Sequence, residues 1–396
     1  MHDWADAIDE AVDRSEELIC TVRRHLHAHP ESSGEEFETT AYLAGRLREA
    51  GIPHRLAPSG RGIIAETPAA PGARRVVIRG DMDALRIHDQ KDVPYRSCRD
   101  GVMHACGHDA HAAAVLGAVL ALNETAGRLP WPCPWRAVFQ PAEETSRGAL
   151  EMIAAGAAED AAAVVALHVD PETPVGSVAL RAGEMTACCQ ELEVTVRGRG
   201  GHAARPHHAV DPICAAVHFA GGVYQHIPRS VDSREPVVVT FGVIRGGENP
   251  NVIPESVTLG GTVRTLSRRS AAEVRAVLER IARGVREVTG AEVEVAVVPG
   301  PDAVVNDERV TAAVREAAAG VVGPACVLPI PRPSMGGEDF AAYLHHAPGC
   351  LLRLGVAGGG PTGHFLHSPR FDIDERALAV GAKILARAAV LLSRPA

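Results

Sequence analysis

The chemistry of this chain is concentrated in His104-Ala-Cys-Gly-His-Asp-Ala-His111, eight residues that crowd imidazole, thiol and carboxylate side chains ahead of an apolar run. Cys106 and His108 are two apart, so in a turn leading into a helix both can reach one metal centre, and thiolate with imidazole is a common ligand pairing. The competing reading is a helix cap with a histidine on a solvated face. A second concentration, Gln140-Pro-Ala-Glu143-Glu144, directly follows a β-type run, where α/β folds place their active-site loops. Adjacent carboxylates can divide the work: one ligates a metal while the other takes a proton from water. An acidic helix start would give the same pair.

Gly80-Asp81-Met82-Asp83 closes another β-type run, and strand periodicity puts both Asp side chains on one face. Such a carboxylate suits the orientation of a metal-binding histidine, although a loop cap looks the same in sequence. His168, ending the strand Val164–Leu167, and His367, in His364-Phe-Leu-His-Ser-Pro-Arg370, add two more histidines at predicted strand ends. Either alone would fit a structural role.

The elements that must hold these residues follow from periodicity. Amphipathic helices are expected near 3–27 and 34–50, β-type runs at 62–66 and 75–79, an apolar helix at 109–123, and strands at 136–140 and 162–169 around a helix at 149–155. This alternation predicts an α/β fold, a three-layer catalytic domain whose mixed sheet is covered by helices. After Gly183 the texture changes: longer alternating strands at 191–197, 236–244, 256–264 and 292–298, with helices at 209–227 and 270–288. The pattern predicts a small α+β domain, residues 185–299, inserted into a discontinuous metal-binding domain of residues 1–184 and 300–396. Gly355 to Gly363 reads as a plain loop.

At 396 residues, two domains are the better prior. The composition, 46% hydrophobic and 22% charged, is that of a globular protein. A net charge of -9 argues against nucleic-acid and anionic-membrane partners. The stretch Met1 to Cys20 lacks the apolar centre of a secretory signal, and the longest apolar run, Ala112 to Leu122, is too short to span a bilayer. Nine cysteines without framework spacing fit a reducing cytoplasm.

Taken together, Arg23-Arg-His-Leu-His-Ala-His-Pro-Glu31, Asp81-Met-Asp-Ala-Leu85, Cys106-Gly-His-Asp109 and Gln140-Pro-Ala-Glu-Glu144 resemble a known family of metal-dependent amidohydrolases and peptidases. So do Gly200-Gly-His-Ala-Ala204, Asn251-Val-Ile-Pro254, Gly261-Thr-Val-Arg264, Met335-Gly-Gly-Glu-Asp-Phe340 and His367-Ser-Pro369. The family includes bacterial aminoacylases, hippurate hydrolases, indole-acetyl-amino-acid hydrolases and, more distantly, carboxypeptidase G. The resemblance spans nearly the whole chain. It implies two divalent ions per subunit liganded by Cys106, His108, Glu144, His168 and His367, with Glu143 as general base and Asp83 orienting a ligand; the soft thiolate at Cys106 favours Zn, Ni or Co over Mg, and availability could install Mn. It also implies that the inserted domain is a lid and dimerisation domain of a homodimer or higher homo-oligomer. There His202 would steady the oxyanion from the partner subunit, and Asn251 and Arg264 would hold the substrate. The sequence departs from the family pattern at Arg86, where a Pro is usual, and at Cys188-Cys189-Gln190, which replaces a stretch that usually ends in Asp.

The expected activity is therefore hydrolysis of the amide bond of a small N-acyl amino acid or related compound. A dipeptidase or carboxypeptidase would share every catalytic residue. Two further rivals are a silent binding protein on an old enzyme fold, which has no need of Glu143, and a Cys-nucleophile hydrolase using Cys106 with His108.

Overall fold

The computed structural model describes residues 3–70, 72–359 and 362–395. Its α-helices are α1 (Asp3–Ala28), α2 (Phe37–Glu49), α3 (His108–Glu124), α4 (Gly148–Ala154), α5 (Pro212–Ser230), α6 (Arg268–Thr289), α7 (Glu308–Val322) and α8 (Arg376–Leu392). The chain divides into two compact units. One runs to Met185, resumes over Val305–Arg332 and continues from Asp339; the other comprises Thr186–Val304 and Pro333–Glu338. The short segment 333–338, which the sequence put in the first domain, thus clusters with the inserted unit.

The first unit is built on an eight-stranded mixed sheet. Its first six strands along the chain are β1 (His54–Leu56), β2 (Ile63–Glu66), β3 (Arg75–Asp81), β4 (Trp135–Gln140), β5 (Ala161–Pro174) and β6 (Val178–Leu180). The spatial order is β1-β2-β4-β3-β5, then Gly349–Ala357, β6 and Val327–Pro329. β3, β4, β5 and Gly349–Ala357 are mutually parallel. Alternation along the strands sets the layers. Val76 and Ile78 of β3, Ala163 and Val165 of β5, and Leu352 and Leu354 share one apolar cluster with α1, α3 and α8. Val77, Val138 and Val164 are just as buried but lie outside that cluster. α4 and the 3-10 turn Asp339–His345 pack with each other, α4 also against β4 and the turn against β5.

Register brings the ends of the parallel strands together: Asp81 lies beside Gln140, and Arg79 beside Ala166. Carboxyl ends of parallel strands are where such sheets place ligand sites. α3 is apolar on nearly every face, as a helix buried between α1, α8 and β3 must be.

Two sequence expectations change here. β5 continues to Pro174 because Gly349–Ala357 runs alongside it, pairing Gly355 with Asp170 and Ala357 with Pro174, so His168 sits within the strand rather than at its end. The same pairing puts residues 355–357 of the expected glycine loop in a strand. A Cβ on Gly355 would stand 2.2 Å from the Pro174 carbonyl oxygen, so this glycine marks close backbone approach.

In the inserted unit, four antiparallel strands in the order Val237–Arg245, Ser256–Thr265, Cys188–Arg197, Glu292–Pro299 pack with α5 and α6 around their own core of Leu192, Val194, Phe219, Leu259 and Leu278. Asp211 caps α5 ahead of Pro212, and Ser267 caps α6. Among the described residues no helix is long and apolar enough to cross a membrane.

Candidate metal centre

Cys106 and His108 flank the start of α3, and Gly107 between them has φ 84°. A Cβ there would lie 2.5 Å from Val169 Cγ2, so only glycine permits the turn that aims both side chains inward. His108 Nδ1 pairs with Asp83 Oδ1 at 3.0 Å, which leaves Nε2 as the free nitrogen. His168 Nδ1 pairs with the Val169 carbonyl at 2.8 Å, and its Nε2 stands 3.5 Å from Cys106 Sγ. Glu143 Oε2 and Glu144 Oε1 come within 4.0 and 3.9 Å of His108 Nε2. His367 Nε2 is 3.6 Å from the same Glu144 oxygen.

Ligand-type atoms of Cys106, His108 and His168 thus cluster within 4.8 Å of one another, as do those of Cys106, Glu144 and His367, and those of His108, Glu143 and Glu144. All six residues belong to the first unit. The loop that carries the two glutamates is conformationally unusual: Ala142 and Ser146 have φ of 52° and 55°, and His367 has φ 64°. Non-glycine residues persist in this region only where their surroundings hold them there. Glu36 supplies such a hold, accepting the Ala142 N–H at 2.8 Å. Asp83 Oδ2 accepts from Glu144 N and from Ser33 Oγ, so one carboxylate ties His108 to the glutamate loop.

The electrostatics describe a pocket short of positive charge. Burial alone would lower the His108 ring, but Asp81 and the bond to Asp83 outweigh it and hold the ring well above the ordinary histidine value. His108 Nε2 and Glu144 Oε1 are buried without a hydrogen-bond partner, a costly state unless something polar or charged meets them. Burial, with Arg353 and His111, keeps His168 well below its ordinary value, hence neutral with an open lone pair. Burial pushes the Cys106 thiol well above its usual range. A thiolate, whether it attacks or binds metal, needs positive charge beside it. These donors, imidazole, thiol and carboxylate, fit divalent cations.

Residues 77–390 match the model of peptidase family M20/M25/M40. The chain belongs to this family. An N-acetyl-L-cysteine deacetylase of Bacillus subtilis is 37% identical over 367 residues, spanning 92% of this chain and 85% of that one. An IAA-amino acid hydrolase of Arabidopsis thaliana is 32% identical over 368 residues, 92% of this chain and 83% of that one. A crystal structure of a dinuclear metal-binding M20 peptidase from Bacillus subtilis superimposes with a TM-score of 0.82 at 32% identity, covering 96% of this chain and 98% of that one.

His202, Asn251 and Arg264 belong to the inserted unit. His202, in a short strand paired with Val252, is exposed and accepts the Ala204 N–H at Nδ1. Arg264 donates to the Met335 carbonyl, and Cys189 lies directly opposite it in register. The departure at Cys188-Cys189-Gln190 therefore touches the surroundings of Arg264. Arg86 is exposed, 3.3 Å from Glu35.

His104, part of the motif, joins none of the clusters. Its ring is fully buried with both nitrogens unpartnered, and burial lowers it to about 4. Sequence reasoning missed Arg79, a fully buried guanidinium bonded to Asp81, Gln140 and Asp339. Its signal was a charge ending the apolar run Val76-Val77-Ile78. Glu36 and Ser33 carried no readable signal.

Proposed function

We propose that this chain is a two-metal amide hydrolase that splits the acyl–nitrogen bond of a small N-acyl amino acid or related compound. In this reading Cys106, His108, Glu144, His168 and His367 hold two divalent ions, and Asp83 keeps His108 turned toward them. The thiolate selects Zn, Ni or Co over Mg, and availability admits Mn. The observation that carries the reading is the convergence of His108 Nε2, His168 Nε2, Cys106 Sγ and Glu144 Oε1, with each imidazole's other nitrogen already committed. Bound there, two divalent ions would polarise the amide carbonyl and bring the pKa of water toward neutrality.

Glu143 is the general base. The Asp339 N–H donates to its Oε1 at 3.4 Å, steadying the carboxylate that takes the water proton and returns it to the leaving amine. His202, from a second copy of the chain, is assigned to the developing oxyanion. Asn251 and Arg264 are assigned to the substrate carboxylate, for which a planar guanidinium offers a two-point contact. The inserted unit is then the lid and dimerisation domain. The deacetylase and the IAA-amino acid hydrolase among the relatives support an acyl amino acid substrate.

The test is a panel of acetyl, benzoyl and longer acyl amino acids beside dipeptides, assayed after chelation and after reloading with each metal. Acyl amino acids turned over only by loaded protein are the expected result. Preference for dipeptides would make the chain a peptidase with the same centre, and full activity in rigorously metal-free protein would overturn the reading.

A further inference from the structure

His111 sits three residues after His108 and beside Asp81, so by position it looks like another ligand. Its hydrogen bonds say otherwise. The Val169 N–H donates to His111 Nε2 at 2.9 Å, so that nitrogen carries no proton and its lone pair is used. The ring proton is then on Nδ1, which donates to Asp81 Oδ1 at 2.5 Å. Both nitrogens are spent, and the ring is fully buried.

The peptide that His111 grips also carries the hydrogen bond of His168. Val169 donates its N–H to His111 and accepts from His168 Nδ1 through its carbonyl at 2.8 Å. Val169 lies beside the Gly107 turn and pairs with Leu354 in the sheet. Behind Asp81 stands Arg79, donating to Asp81 Oδ2 at 2.7 Å and to Asp339 Oδ1 at 2.8 Å.

We propose that His111 binds no metal and is a positioning residue: locked as the Nδ1–H tautomer by Asp81 and Arg79, it clamps the Val169 peptide and so keeps His168 Nε2 aimed at Cys106. This deepens the two-metal reading and rests on it. Outer partners of this kind set ligand orientation, and their loss typically costs about 10–100-fold in metal affinity.

Two variants and one wild-type measurement test the proposal. His111→Gln keeps an amide oxygen for Val169 N–H and an amide donor for Asp81, whereas His111→Leu keeps neither. Bound metal per chain by elemental analysis, stepwise affinity by competition titration, and the visible spectrum of the Co(II) form are read for each, beside the thermal midpoint of the metal-free protein.

His111→Gln is expected to hold both ions with the wild-type spectrum. His111→Leu is expected to weaken one of the two binding steps by about 10–100-fold. One ion fewer in His111→Gln would make His111 a ligand and overturn the proposal. Unchanged affinities in a folded His111→Leu would reduce it to packing, and overturn it equally. If His111→Leu does not fold, wild-type protein labelled with 15N-histidine decides. On adding Zn, the His111 resonances, assigned by their loss in His111→Gln, must keep the Nδ1–H pattern while His168 shifts at Nε2. A shift at His111 Nε2 overturns the proposal. A wild-type chain that takes up no divalent metal would instead overturn the two-metal reading beneath it.

Discussion

At the scale of single residues, the two adjacent glutamates are distinguishable by what they touch. Both lie within 4.0 Å of His108 Nε2, but Glu144 Oε1 also faces His367, while Glu143 accepts the Asp339 N–H. Glu143→Gln should therefore retain both ions by elemental analysis and lose turnover by about 10²–10⁴-fold or more, whereas Glu144→Gln should lose metal. A Glu143→Gln enzyme within about tenfold of wild type would remove it as the base. Cys106 gives a second expectation. Its buried thiol is raised, so near neutral pH the metal-free protein should alkylate there slowly, and metal should suppress the reaction further. The exposed Cys98 and Cys214 serve as internal standards in the same peptide map. Fast labelling of Cys106 in the loaded protein, with no metal released, would strike it from the ligand set. Type and spacing brought Cys106, His108, Glu143 and Glu144 forward as candidates, and the fold gathers their side chains in overlapping clusters. The sequence could not separate His111 from its neighbours, because only the direction of a backbone N–H from another strand reveals how that ring is used.

Among the elements, α1 is held to the α3 start by charge as well as by its apolar face. Arg23 is buried against Asp109 and Asp372, and His27 lies between Asp109 and Asp89, which also pairs with Lys91. Burial would raise Asp89 and Asp372, but His27, Lys91 and backbone N–H groups for the one, and Arg23 for the other, hold both below the ordinary carboxylate value. A carboxyl depressed in the folded state contributes stability above its unfolded pKa of about 3.9 and loses it as pH falls further. Urea midpoints of wild type and Asp89→Asn should accordingly differ at pH 6, with a gap that begins to shrink below about pH 4 and goes on shrinking as pH falls further. A gap unchanged at low pH would show that Asp89 acts through packing alone. Most elements were legible, since α1, α3 and the inserted strands keep one period over many residues. The strand Gly349–Ala357 was not, because glycine reports both a turn and a backbone that another backbone must approach. The end of β5 escaped for a related reason: its continuation depends on that same distant partner.

For the molecule as a whole, the assignment of His202 to a neighbouring copy predicts complementation. His202→Ala and Glu143→Gln proteins, each inactive, should regain part of the activity when subunits exchange, since one site of each hybrid is then intact. Absence of recovery despite proven exchange would return His202 to its own subunit or remove it from catalysis. The insertion itself has a temporal consequence. A ribosome releases the inserted unit's four strands and both helices as one continuous stretch, complete with their core, while the surrounding unit still lacks the strand at 349–357, which lies inside its sheet, and α8, which packs on α1 and α3. The interior domain can thus mature during synthesis, but its host must wait for the strand at 349–357 and for α8. On the proposed ligand assignment His367 arrives in that same stretch, so a chain cut before it would lack one of the five proposed ligands and should bind less metal.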